Sequence, residues 1–307
     1  MQFLKKTYQI LAGSINGFID DNGFQHSAAV SFYTLFSLAP IVMIAVFVAG
    51  FFVGNENVLV ELTQFLNETI GAESTQAVML LIETIQTDTR NLFYLFLSIG
   101  FLVVSATTVF IQFKDSFNRI FQVKARSDVG ILKMLLDRLI AFGMIILLGI
   151  AMIASLIMDS LLAAFSNLLL ADFESAQLFL IGVGGNALTL LLIFFAVLVM
   201  FYFLPDVKIR SRPLFAGSLI TTLLLVIGKF GVGMIIGNSS LNQLTGASAS
   251  IIILMLWVYY SSIIIFFGIE LVKTMAESWI GEIQAGKYAQ KLKLVEIPKM
   301  KKESTEE

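Results

Sequence analysis

The chain has 307 residues, 57% of them hydrophobic and 14% charged, with a net charge of -2. A soluble fold of this composition would expose far more apolar surface than monomers carry, so the bilayer is the solvent it is built for. It contains no cysteine and one histidine, which excludes disulfides, thiolate nucleophiles and Cys- or His-rich metal cages.

Leu4, Tyr8, Leu11, Ile15 and Phe18 recur at helical spacing, with Lys5, Lys6, Gln9 and Asn16 elsewhere on the wheel. This predicts an amphipathic elbow helix on the inner membrane surface, within an inner-face segment covering residues 1–30. The stretch after Lys5 and Lys6 does not read as a cleavable signal, so the first span is expected to remain. Six runs are long enough to cross a bilayer, each needing roughly 20 apolar residues. They cover residues 31–54, 91–111, 139–158, 179–204, 214–237 and 251–272. Pro40 removes a backbone donor within the first span and predicts a kink, with Ser27, Ser31, Thr34 and Ser37 near one face to help re-satisfy the backbone. Residues 55–90 read as two amphipathic helices with acidic polar faces, expected to cap the bundle on the outside. Residues 112–138 are expected to be partly helical, with Lys114, Arg119, Lys124, Arg126 and Lys133 facing phospholipid headgroups. Residues 273–307 read as a cytoplasmic tail, disordered after about residue 298, where Lys and Glu recur without an apolar period.

With the N-terminus inside, Lys and Arg number 2 before the first span, 6 in residues 112–138, 3 in residues 205–213 and 7 from residue 273 onward, which is 18 of 20. The exceptions are Arg90 and Lys229. The opposite loops hold Glu56, Glu61, Glu68, Glu73, Glu83, Asp88, Asp159, Asp172 and Glu174. By the positive-inside rule the expectation is an all-α, six-transmembrane-helix bundle in the bacterial inner membrane with both termini cytoplasmic.

Lys229 is the sharpest single residue, because a charge within a span is usually paired, water-exposed or functional. Ser218, Thr222, Lys229 and Gly233 share one helical face, which points the lysine into the bundle; snorkelling to the outer headgroups is the alternative. Asn186, Ser98 and Tyr259 lie at the same depth and predict a buried polar cluster able to hold an anion such as a phosphate. Asn186 reads equally as a helix N-cap, and Ser98 and Tyr259 as ordinary interhelical donors. Glu270 lies near the inner end of the last span, where an ion pair with Lys273, Arg210 or Arg138 is expected. Asp20, Asp21, His26, Asp115 and Arg119 share this inner rim, so a proton-linked or gating role is conceivable.

The run Asp20 through Pro40, D-D-N-G-F-Q-H-S-A-A-V-S-F-Y-T-L-F-S-L-A-P, resembles the opening signature of the YihY/virulence factor BrkB family of bacterial inner-membrane proteins. Asn118-Arg119-Ile120, then Tyr202 and Leu204-Pro205-Asp206-Val207 with Arg210 and Arg212, then Lys229, then Trp257 through Glu270 resemble its later motifs in order. Residues 241–249 depart from it, with Leu244-Thr245-Gly246 where the family commonly has a Tyr-Gly pair. The resemblance implies a poorly characterised envelope role, linked in some relatives to serum resistance and lipopolysaccharide export. The family was once described as a tRNA-processing ribonuclease; one histidine and scattered acids argue against a metal-dependent nuclease here, and no nucleic-acid partner is expected.

The residues and the resemblance together lead to the expectation of a transporter or flippase for an anionic lipid or lipid-linked envelope intermediate. Membrane lipids are its partners, and it has no catalytic residue, metal or cofactor. A non-catalytic scaffold that positions envelope-biogenesis proteins through the outer cap is the competing reading.

Overall fold

The computed structural model describes residues 2–53, 92–126, 130–169, 174–237 and 247–292, with isolated positions between 59 and 79. The chain is mostly helical. In order it forms α1 (Gln2–Asp20), α2 (Gly23–Val53), α3 (Leu92–Ile120), β1 (Val123–Ala125), α4 (Gly130–Leu169), α5 (Glu174–Phe203), β2 (Val207–Lys208), α6 (Ser211–Gly237), α7 (Ala247–Trp279), β3 (Gln284–Ala285) and β4 (Ala289–Lys291). Among the described residues three stretches are long and apolar enough to cross a membrane: Gly130–Ala151, Ser211–Lys229 and Ile251–Trp279.

Each of the six long helices contacts the next in sequence, and α7 returns to α2, so they close into a ring. Small residues make the closest seam. Gly217 lies against Val272, Gly228 against Tyr260 and Ile264, and Gly268 against Thr221, so α6 and α7 approach almost backbone to backbone. The Ser31 hydroxyl donates to the Met255 carbonyl at 2.8 Å and ties α2 to α7. At the end of the bundle near the α5–α6 turn the core is aromatic: Phe117 and Phe266 have ring centres 5.7 Å apart, edge to face, and Phe201 meets Phe117 in the same way. α2 continues on both sides of the buried Pro40.

α1 turns into α2 at Asn22, whose positive φ of 56 is a conformation asparagine tolerates well. It packs mainly on α7. Tyr8, Leu11, Ile15 and Ile19 are exposed together, whereas Phe18, expected in the same membrane-facing stripe, is core. The reason is its place at the turn, where its ring meets Phe24 and Phe267.

The helices outrun the predicted spans, α3 reaching Ile120 and α4 beginning at Gly130, because polar residues there extend the backbone ladder beyond the apolar run. Residues 281–292, within the segment read as a tail that becomes disordered only after about residue 298, fold back onto the helices' ends. β4 pairs antiparallel with β1 and β3 with β2, and the Gly286 N–H donates to the Asp206 carbonyl at 2.7 Å. The expected outer cap falls almost entirely outside the described residues, as does the tail beyond residue 292.

Candidate functional site

The turn after α5 places Asp206 between α3 and α4. Its main-chain N–H donates to Asn118 Oδ1 at 2.7 Å, while Asn118 Nδ2 donates to Asp206 Oδ2 at 3.0 Å, so one amide side chain clamps the residue at both ends. One turn earlier on α3, Lys114 Nζ donates to Asp206 Oδ1 at 2.8 Å and to the Leu204 carbonyl at 3.1 Å. From α4, Lys133 Nζ reaches Asp206 Oδ1 and Asp137 Oδ1, both at 2.7 Å, and Lys114 stands 3.2 Å from Asp137. Two ammonium groups and two carboxylates thus balance in a nearly dry cluster, the lysine side chains being only 4% and 7% exposed. Burial alone would raise the Asp206 carboxyl, but Lys114 and Lys133 outweigh it and hold it below the usual carboxylate range.

This corrects the expected headgroup contacts of Lys114 and Lys133. Both pair with partly buried carboxylates, because α3 and α4 converge on the α5–α6 turn rather than splaying toward lipid. Arg119, Lys124 and Arg126 do remain exposed. Asp115, on the surface of α3, stands outside the hydrogen-bonded set; partial desolvation of its carboxyl beside the cluster and then the Asp137 charge push it above the usual range.

A second cluster joins α1 to α7. Lys273 Nζ donates to Asp21 Oδ2 at 2.7 Å and stands 3.4 Å from Glu270 Oε2. Glu270 is 1% exposed, with Gly17 of α1 directly against its carboxylate. Of the three cations proposed for Glu270, the structure selects Lys273. Arg138 donates to Thr107 Oγ1 at 3.0 Å, and Arg210 lies elsewhere. His26 is half-buried beside Phe266, with Nδ1 3.1 Å from Ser116 Oγ. Burial, and then the Arg119 charge, hold its imidazole below the ordinary histidine value. Asp20 is exposed and outside both clusters.

The third feature is a cavity of about 500 Å³ where α6 begins and α7 ends, lined by Arg210, Ser211, Arg212, Trp279 and Ile280. Among the described residues no carboxylate pairs with either arginine. From Ser211 a polar line climbs α6, since Ser211, Ser218, Thr222 and Lys229 fall on one helical face. Ser218 and Thr222 are fully buried; Thr222 donates to the Ser218 carbonyl at 2.9 Å, and Ser218 Oγ has no partner among the described residues.

Lys229, expected to point into the bundle, is exposed. At its level the α6–α7 seam is made by Gly228, and the next residue is rotated about 100° from that contact. Tyr259 is partly buried, and the side chains of Ser98 and Asn186 lie outside those described, so the depth-matched cluster is not assembled from described residues. Among those residues no three His, Cys, Asp or Glu side chains converge as metal ligands.

A protein-family model described as Virulence factor BrkB matches residues 14–293. A UPF0761 membrane protein of Psychrobacter sp. is 25% identical over 273 residues, covering 87% of this chain and 48% of the relative. One from Pseudoalteromonas translucida is 24% identical, covering 84% and 82%, and one from Stenotrophomonas maltophilia is 24% identical, covering 84% and 59%. The chain therefore spans about half to four-fifths of these relatives' lengths. No solved structure matches.

Proposed function

The chain belongs to the virulence factor BrkB family of membrane proteins, and from that premise we propose that it moves an anionic lipid, or a lipid-linked envelope intermediate, between leaflets of the bacterial cytoplasmic membrane. In this reading it has six spans with both termini in the cytoplasm and acts without chemistry on its cargo.

The observation that supports the reading is the polar line on α6. It starts in an open pocket with two arginines that no described carboxylate pairs, whose planar guanidinium forks suit a phosphate better than a point charge would. It passes two buried hydroxyls, one with an unpartnered oxygen, and ends at an exposed lysine. Ser211 and Lys229 are 18 residues apart, about 27 Å at 1.5 Å per residue, close to the roughly 30 Å of a hydrocarbon core. A headgroup moving along α6 would leave arginine, exchange hydroxyl contacts and meet the lysine, while its chains stay against the exposed apolar ridge of Phe215, Leu219, Leu223 and Ile227. The balanced Asp206 cluster fixes the inner ends of α3, α4 and α5, and α6 packs on α5.

The test is mass-spectrometric identification of lipids that co-purify with gently solubilised protein, wild type against Lys229→Met. One anionic class enriched in wild type and lost in the variant is expected. The same bulk-membrane mixture in both would overturn the reading.

A further inference from the structure

The two inner-face clusters differ in charge balance. Lys114, Lys133, Asp137 and Asp206 sum to zero, whereas Asp21, Glu270 and Lys273 put two carboxylates on one ammonium. The excess falls on the more enclosed group. Glu270 is 1% exposed, Gly17 presses so closely that a Cβ there would stand 2.8 Å from Oε2, and Oε1 is buried without a hydrogen-bond donor. Lys273 favours Asp21 at 2.7 Å over Glu270 at 3.4 Å. Both carboxylates therefore meet at one ammonium, the Lys273 Nζ. Two ionised carboxylates at one ammonium are both acceptors, and the Glu270 carboxylate is shut off from water.

We infer that Asp21 and Glu270 form a binding site for one proton, shared between the two carboxyls with Lys273 as counter-ion, which holds α1 on α7. The proton enters from cytoplasmic water and turns an acceptor–acceptor contact into a donor–acceptor one, leaving the cluster neutral. The other ionisable groups nearby do not supply that balance. α1 contributes the exposed Asp20, and α7 contributes Glu277, one turn beyond Lys273. α2 contributes His26, bonded to Ser116 and influenced by Arg119 of α3, and α6 meets this part of α7 through Gly217 and Thr221. Loss of the proton leaves an uncompensated charge under the Gly13–Gly17 contact and releases α1. The proton's role as a coupling ion rests on the transport reading; the site itself does not.

Infrared difference spectroscopy of the full chain in liposomes, titrated from mildly acidic to alkaline pH, tests the site. A protonated-carboxyl C=O band is expected at neutral pH, absent in Glu270→Gln. It should also vanish in Asp21→Asn, where Glu270 and Lys273 alone balance and Glu270 ionises. Asp137→Asn, in the other cluster, should leave the band in place. Persistence of the band in both Glu270→Gln and Asp21→Asn, or its absence from wild type, would overturn the inference. Hydrogen exchange of α1 should accelerate in wild type as the band is lost and stay slow in Glu270→Gln; equal pH dependence in the two would overturn the docking role. Vesicles that show the band but move no lipid would remove the coupling role and leave the site standing.

Discussion

Replacing Asp206 by Asn keeps the shape of the α5–α6 turn and removes one charge from a cluster that is balanced and almost dry. Lys114 and Lys133, 4% and 7% exposed, would then share Asp137 alone, at 3.2 and 2.7 Å. The new amide would also turn its NH₂ toward either Asn118 Nδ2 or an ammonium, donor against donor. Breaking a buried ion pair costs about 3–5 kcal/mol. Asp137 stays in contact with both lysines and is 19% exposed, so water relieves part of the strain and the low end applies, about 3 kcal/mol. That is roughly two orders of magnitude in the folding equilibrium. Equilibrium unfolding in mixed detergent micelles measures it. Adding Lys114→Met restores the charge balance and should recover most of the loss, as a coupling energy between adjacent sites. A loss under about 0.5 kcal/mol for Asp206→Asn, the range of an ordinary surface substitution, would refute the view that this cluster is a buried balanced set.

Gly268→Ala should destabilise by about 1–2 kcal/mol, because the new methyl overlaps the Thr221 side chain and overpacking outweighs the helix-propensity gain. Gly100→Ala, with open space around it, should instead gain up to about 1 kcal/mol in the same unfolding assay. His26 titrates lower in the folded chain than in the unfolded one, so the unfolded state takes up the proton first. Stability is therefore expected to fall as pH drops below 6.5 and to level off below the folded-state value. Unfolding midpoints on either side of that pH should diverge in wild type and converge in His26→Gln.

The long helices are legible because apolar runs of span length leave few alternatives, and the spacing of Ser218, Thr222 and Lys229 gives them one direction about the axis of α6. What covers that face was not legible. Helical spacing fixes direction about the axis, while burial of Ser218 and exposure of Lys229 depend on neighbours far away in sequence. The short strands escaped for a related reason, since two- and three-residue strands carry no alternation to read. Lys114 and Lys133 were misassigned to headgroups because a rule for loop cations counts charges without pairing them. The i,i+4 spacing of Lys133 and Asp137 was a local signal, but Asp206, the carboxylate that gathers both lysines, lies 92 residues from Lys114. Depth in the last span leaves Lys273, Arg210 and Arg138 open as partners of Glu270, and Asp21, 252 residues from Lys273, joins them only through the packing of α1 on α7.

The proposal that the protein moves anionic lipid is tested most directly by reconstituting it into liposomes carrying a labelled anionic phospholipid and following the label's access to an impermeant reductant. Wild-type protein should expose inner-leaflet label that empty vesicles protect, and Lys229→Met, equally well inserted, should protect it again. Wild-type vesicles indistinguishable from empty ones, or a Lys229→Met variant as active as wild type, would contradict the account.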